Sequence, residues 1–178
     1  DNNQNLVLLN GATIYNPFHA LGLFSVIDPD MIKNVKFYKG SSPAEYGGRL
    51  SSVMDIETID GNRNRVSGRA SLSLLTAKAM VEAPIPYGSV VVTGRRSYNT
   101  KILKYFLNDK TIPFDFYDAS IKLSYSNPNF IPGSKFVIHY FTSNDKLNNK
   151  DLLKEDFFWT NNIFGFSWFK VYDIPLFS

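Results

Sequence analysis

Polar and apolar residues alternate along much of this chain, most clearly over 117–125. Tyr117, Ala119, Ile121, Leu123 and Tyr125 are apolar or aromatic, while Asp118, Ser120, Lys122 and Ser124 between them are polar. A period of two puts one oily and one wet face on a single strand. Residues 66–76 partly repeat the pattern, Ser67, Arg69, Ser71 and Ser73 standing against Gly68, Ala70, Leu72 and Leu74. Strand propensity also fills a stretch ending at Ala83, then 90–93, 135–142 and the aromatic-rich 162–172, although Val137 and Phe141 blur the alternation of 135–142. Six strands are therefore expected, with the first hairpin turn placed near Ala77 and Lys78. Connections at 84–88 and 127–133 are compact and rich in Pro, Gly and Asn, whereas 98–114 and 144–156 are long and polar.

The leading sixty residues have a different texture. Leu6 to Leu9 and Ala12 to Tyr15 flank Asn10-Gly11, a dipeptide that tolerates positive φ at both positions and so predicts a two-residue hairpin. Asp28 as N-cap and Pro29 at the first helical position predict a brief helix. A strand at 35–39 closes on Gly40, and Ser42-Pro43-Ala44-Glu45 has the spacing of a capping box for one helical turn, stopped by Gly47-Gly48. Strand returns at 53–59. The polar, turn-forming 60–65 then marks a boundary, giving units 1–60 and 61–178.

Composition narrows the function. With 44% hydrophobic and 20% charged residues in 178, the chain can bury one core and is not of disordered type. A net charge of +3 is too small to be a nucleic-acid footprint, so no nucleic-acid partner is expected. No cysteine occurs, and His19 and His139 are the two histidines, which removes disulfides and Cys/His zinc sites; neither metal nor cofactor is expected. His139, mid-strand among aromatics, reads as a packed or lumen-facing side chain. Apolar runs reach about four residues, too short for a membrane helix, whereas membrane strands need only about ten alternating residues. The 15 Phe, 10 Tyr and 2 Trp suit aromatic belts at lipid interfaces. The polar opening at 1–5 has neither Met nor the order of a signal peptide, as expected of a processed or cut chain. Nucleophile-elbow, phosphate-loop and zinc-protease motifs are absent, and Asp115, Asp118 and Asp145 are scattered, so no enzyme is expected.

Leu6 to Gly11, the run Ile-Lys-Asn-Val-Lys-Phe-Tyr-Lys-Gly at 32–40, and Ser42-Pro43-Ala44-Glu45-Tyr46-Gly47-Gly48 fall in the order of a known plug. The chain resembles a TonB-dependent outer-membrane receptor over about residues 6–59, continuing into 68–96 as the first barrel strands. The form at 43–53 looks most like the subgroup with a carboxypeptidase-regulatory-like domain ahead of the plug. What the resemblance implies is a mainly β fold: the C-terminal half of a mixed α/β plug, then about six antiparallel strands of an incomplete transmembrane barrel. Such a barrel has about 22 strands when whole, so a fragment of a longer polypeptide is expected, located in the outer membrane. The segment that contacts the TonB energy-coupling complex would precede these residues. Partners implied are that complex, outer-membrane lipid and a nutrient ligand.

Site expectations follow from the resemblance. Asn10, Gly11, Gly40, Pro43, Tyr46, Gly47 and Gly48 would be structural turns. Family plugs often carry Asp at the position of Asn10 and Arg at that of Lys39; Lys39 keeps the charge without the bidentate fork. Lys39 and Arg49 are candidate contacts between plug and barrel, or plain surface charges. Tyr15, Asn16, Phe18 and His19 would form an apical loop facing ligand, and Arg95 and Arg96, ahead of a long loop, are further ligand-binding candidates for an anionic group, or else rim residues facing lipopolysaccharide phosphate or water. The alternative function is a secreted or surface-attached β-rich binding module, an adhesin or glycan-binding sandwich. The two differ in where the oily face goes: a sandwich packs Ile121 and Leu123 against a second sheet, and a barrel turns them to lipid.

Overall fold

The structure, a computed structural model, describes residues 5–19, 22, 24–39, 52–98, 114–149 and 155–172. Two main sheets and one small ribbon account for the strands. The first sheet holds β1 (Asn5–Leu9), β2 (Ala12–Ile14), β5 (Ile32–Lys39) and β6 (Ser52–Thr58) in the order β2-β1-β6-β5. β1 runs parallel to β6, and the other pairs are antiparallel. The ribbon pairs β3 (Phe18–His19) with β4 (Phe24–Ser25).

Asn10-Gly11 makes the turn its sequence predicts, with φ of 50° and 84°. The Asn10 side chain also fastens the hairpin to β6: Oδ1 accepts from the Thr58 amide at 2.9 Å, and Nδ2 donates to Thr58 Oγ1 at 3.0 Å. An Asp in its place accepts but cannot donate, which is a physical reason for the amide here. Asp28 caps a single 3-10 turn at Pro29–Met31, its carboxylate accepting from the Asp30 amide. No α-helix occurs among the described residues. The capping box at 42–45, together with Gly40, Tyr46, Gly47, Gly48 and Arg49, lies outside them.

The second sheet is an antiparallel meander of six strands, as the alternation predicts. They are β7 (Ser67–Leu72), β8 (Thr76–Ile85), β9 (Gly88–Ser97), β10 (Phe114–Tyr125), β11 (Ser134–Asn149) and β12 (Glu155–Lys170). The first turn falls at 73–75 rather than near Ala77 and Lys78. Ser73 makes it: its amide donates to the Thr76 carbonyl at 2.8 Å, and its hydroxyl accepts from the Leu75 and Thr76 amides, so a serine does what Gly or Pro does elsewhere. The polar residues after 142 continue as strand instead of loop, because β11 and β12 stay in register from Ser134↔Lys170 to Asn149↔Glu155.

Burial decides which face looks where. On β10 the buried residues are Phe116, Asp118, Lys122 and Ser124, while Tyr117 and Ile121 are 45% and 44% exposed and Leu123 is half-buried. On β11 Ser143, Asp145 and His139 are buried and Ile138 and Tyr140 exposed; on β12 Phe164, Phe166 and Trp168 are exposed. Hydropathy is inverted relative to a water-soluble sandwich, with charges inside and most of the aromatics of β12 outside, and among the described residues no second sheet covers Ile121. The polar face wraps the first sheet instead. Phe141 and Ile163 complete the core of Leu9, Ile14, Val26, Ile27, Met31 and Ile56. Phe141 and Val137, the residues that blur the alternation of 135–142, are thus inward-facing apolar residues, Phe141 in the core shared with the N-terminal sheet and Val137 lining a cavity beside it. His139 is packed and inward-facing as expected, over Gly165 of β12.

Candidate functional site

The chemistry-bearing side chains gather where the two sheets meet. Of the candidate ligand residues, Tyr15 is 78% exposed and Phe18 52%, both at the end of the meander that carries the long connections. The Asn16 carbonyl is held by Nδ2 of Asn161 on β12 at 3.2 Å. His19, two positions along the ribbon from an exposed loop, is fully buried. Its ring stacks on Phe116 with centroids 4.3 Å apart and planes 15° from parallel.

Both His19 nitrogens face carboxylates. Nδ1 lies 2.7 Å from Oδ2 of Asp145 on β11, and Nε2 lies 3.3 Å from Oδ2 of Asp118 on β10. Arg95 of β9 donates from Nε to the same Asp118 oxygen at 2.7 Å and from its terminal nitrogen to the Ser25 carbonyl at 2.6 Å. Its guanidinium also lies 5.5 Å from the centroid of the Phe116 ring. Burial works against a charged imidazole, but the hydrogen bonds to Asp118 and Asp145 outweigh it and hold His19 above the ordinary histidine value. Arg96 alternates to the opposite, exposed face of β9.

A second cluster sits at the short-turn end, around Asp60 in the link between the sheets. Lys135 Nζ donates to Oδ2 at 2.6 Å, Lys122 Nζ lies 3.0 Å from Oδ1, and Lys33 stands off at 3.9 Å while pairing with Glu57 at 2.7 Å. Lys122 also donates to the Thr58 carbonyl at 2.7 Å, and Ser89 to the Asp60 carbonyl at 2.6 Å. Burial alone would push the Asp60 carboxyl up, but the hydrogen bonds from Lys135 and Lys122 prevail and hold it well below the usual carboxylate range. A cavity of about 440 Å³ beside this hub is lined by charges of both signs, including Lys36, Asp55, Glu57 and Lys122. A third contact joins Lys78 of β8 to Asp28 at 3.0 Å and Asp30 at 2.5 Å.

Among the described residues the ion pairs that join the N-terminal part to the meander are therefore made by His19, Asp28, Asp30 and Asp60. Lys39 ends β5 exposed and forms no ion pair among the described residues; Arg49 lies outside them. His19 and Arg95 are turned into the interface rather than toward solvent. A signal for these contacts is present in the sequence: charges at the inward positions Lys78, Arg95, Asp118, Lys122 and Asp145 need partners when buried. What sequence lacks is which N-terminal residue supplies each one. Among the described residues no group of His, Cys, Asp and Glu is arranged to hold a metal ion.

Comparison with known proteins adds a match over the N-terminal residues and a likeness of fold. Residues 1–53 match the family model described as TonB-dependent Receptor Plug Domain. No curated protein matches the chain. Among solved structures, the siderophore receptor PirA from Pseudomonas aeruginosa superposes with a TM-score of 0.61 at 14% identity, covering 96% of this chain and 30% of PirA. The FrpB iron transporter from Neisseria meningitidis (F3-3 variant) gives 0.55 at 19% identity, covering 82% of this chain and 24% of FrpB. A copper transporter, OprC, gives 0.53 at 12% identity, with 80% and 23% covered. The chain spans less than a third of each of these proteins, and at such identities the likeness is one of fold.

Proposed function

We propose, from a chain that carries the plug domain of the TonB-dependent receptors followed by barrel strands, that it is part of an outer-membrane receptor and transporter. The whole protein binds a nutrient ligand at the cell surface and imports it when the TonB complex moves the plug. Residues 1–60 form the C-terminal part of the plug and 61–178 the first part of the barrel. No covalent chemistry is involved. Tyr15, Asn16 and Phe18 form the ligand-facing apex, and the interior charges dock the plug to the wall.

The observation that carries this function is the inverted hydropathy of the six strands. Asp118, Lys122, Asp145 and His139 are buried toward the N-terminal sheet while Ile121, Ile138, Phe164 and Phe166 are exposed on the far side. In hydrocarbon such a face is at home, and the edges β7 and β12 are satisfied by further strands of a closed barrel. Iron, siderophore and copper in the names of the relatives point to scarce metals and their chelates as the class of cargo to screen first.

The test is expression of the full open reading frame in a Gram-negative host. The protein should fractionate with outer membranes, and uptake of its ligand should stop when tonB is deleted. Recovery of the full-length protein in the aqueous phase after detergent partition would overturn the assignment. So would uptake that is indifferent to tonB.

A further inference from the structure

A neutral imidazole carries one N–H and one bare lone pair. Buried between two carboxylates, as His19 is, it can donate to only one and must present its lone pair to the other. At 2.7 Å from Asp145 and 3.3 Å from Asp118, only the imidazolium satisfies both. Arg95 of β9 also binds Asp118, so His19 and Arg95 share that carboxylate while Asp145 faces the other ring nitrogen. The ribbon's own facing groups, Phe24 and Ser25, add no charge. Removal of the proton leaves a ring lone pair facing a carboxylate oxygen in a fully buried site, where neither has water to turn to.

We propose that His19 is a proton-operated latch: as imidazolium it ties the apical ribbon of the plug to β10 and β11 of the wall, and loss of its proton releases that ribbon. Tyr15 and Phe18, the exposed residues of the apex, lie within four positions of the latch. Its state therefore sets how firmly the ligand-facing surface is held. The sign follows from the raised titration point of the docked ring. Docking is strongest below the titration point of a released histidine, near 6.5, and weakens as pH rises through the higher value of the docked one. One proton per plug gives a change of at most about tenfold per pH unit.

The latch rests on the receptor assignment, and the test separates the two. Hydrogen exchange is followed in the full-length protein in detergent, between pH 5.5 and 9, after correction for intrinsic base catalysis. The reporters are the amides of Val26, bonded to the Pro17 carbonyl, and Ile27, bonded to the Ser25 hydroxyl. Their protection should be flat in acid and fall by up to about tenfold per unit in alkali. That of Leu8 and Leu9 in the first sheet should not change. His19→Gln should abolish the break, and Asp145→Asn, which keeps the histidine, should move it to lower pH. Identical profiles in the wild type and His19→Gln would overturn the latch, as would an unmoved break in Asp145→Asn. A flat wild-type profile in a protein that does reside in the outer membrane defeats the latch alone; a protein that never reaches that membrane defeats the receptor assignment.

Discussion

Asp60 concentrates what single residues contribute to this molecule. Its carboxylate is shared by two lysines at 2.6 Å and 3.0 Å, and one of them, Lys122, is 5% exposed. Asp60→Asn therefore strands a buried cation, and a loss of about 3–5 kcal/mol is expected in denaturant unfolding of the full-length protein. Lys33→Met removes a surface pair with Glu57 and should cost no more than about 1 kcal/mol. The same carboxylate sets an acid limit. Because its pKa is depressed in the folded state, the stability it confers is fully present above the ordinary carboxylate value, near 3.8. That stability is lost as pH falls through the depressed value. Acid titration of the wild type against Asp60→Asn should show a difference that shrinks below about pH 4.

At the scale of elements, two glycines decide the geometry, one by its backbone conformation and one by a close approach. Gly11 sits at φ +84° with open space around it, so Gly11→Ala should cost about 1–2 kcal/mol through backbone strain alone, measured by denaturant unfolding. Gly165 is the cross-strand partner of His139, and a Cβ there would collide with the imidazole at Cε1. Gly165→Ala is expected to be strongly destabilising in the wild type and nearly harmless beside His139→Ala, a coupling that a double-mutant cycle reads directly. These elements differ in how legible they were. The hairpin at Asn10-Gly11, the Asp28-Pro29 cap and the six outer strands follow from local patterns that depend on φ preference, capping or period. The turn at Ser73 was missed because a hydroxyl can replace the usual turn residues, and the strand beyond Thr142 because polarity was read as loop. Polar residues persist in β11 where register with β12 supplies the hydrogen bonds. The docking contacts were illegible for another reason: the pairing of His19 with Asp145 spans 126 residues, and no local pattern encodes it.

The whole molecule rests on the direction of one face. Ile121 is exposed on one side and Lys122 is buried toward the N-terminal sheet on the other; the proposed function puts hydrocarbon against the first side. Alternation alone leaves that direction open, since a sandwich and a barrel share it; the burial of Asp118, Lys122 and Asp145 is what supports the barrel reading. These 178 residues have no cysteine, so single spin labels can be placed at 119, 120, 121, 123 and 124 in a full-length protein freed of any cysteine elsewhere and reconstituted in lipid bilayers. Accessibility to lipid-dissolved oxygen should rise at 119, 121 and 123 and fall at 120 and 124. Labels at 121 and 123 shielded from oxygen, or reached by a water-soluble paramagnetic reagent instead, would contradict the account.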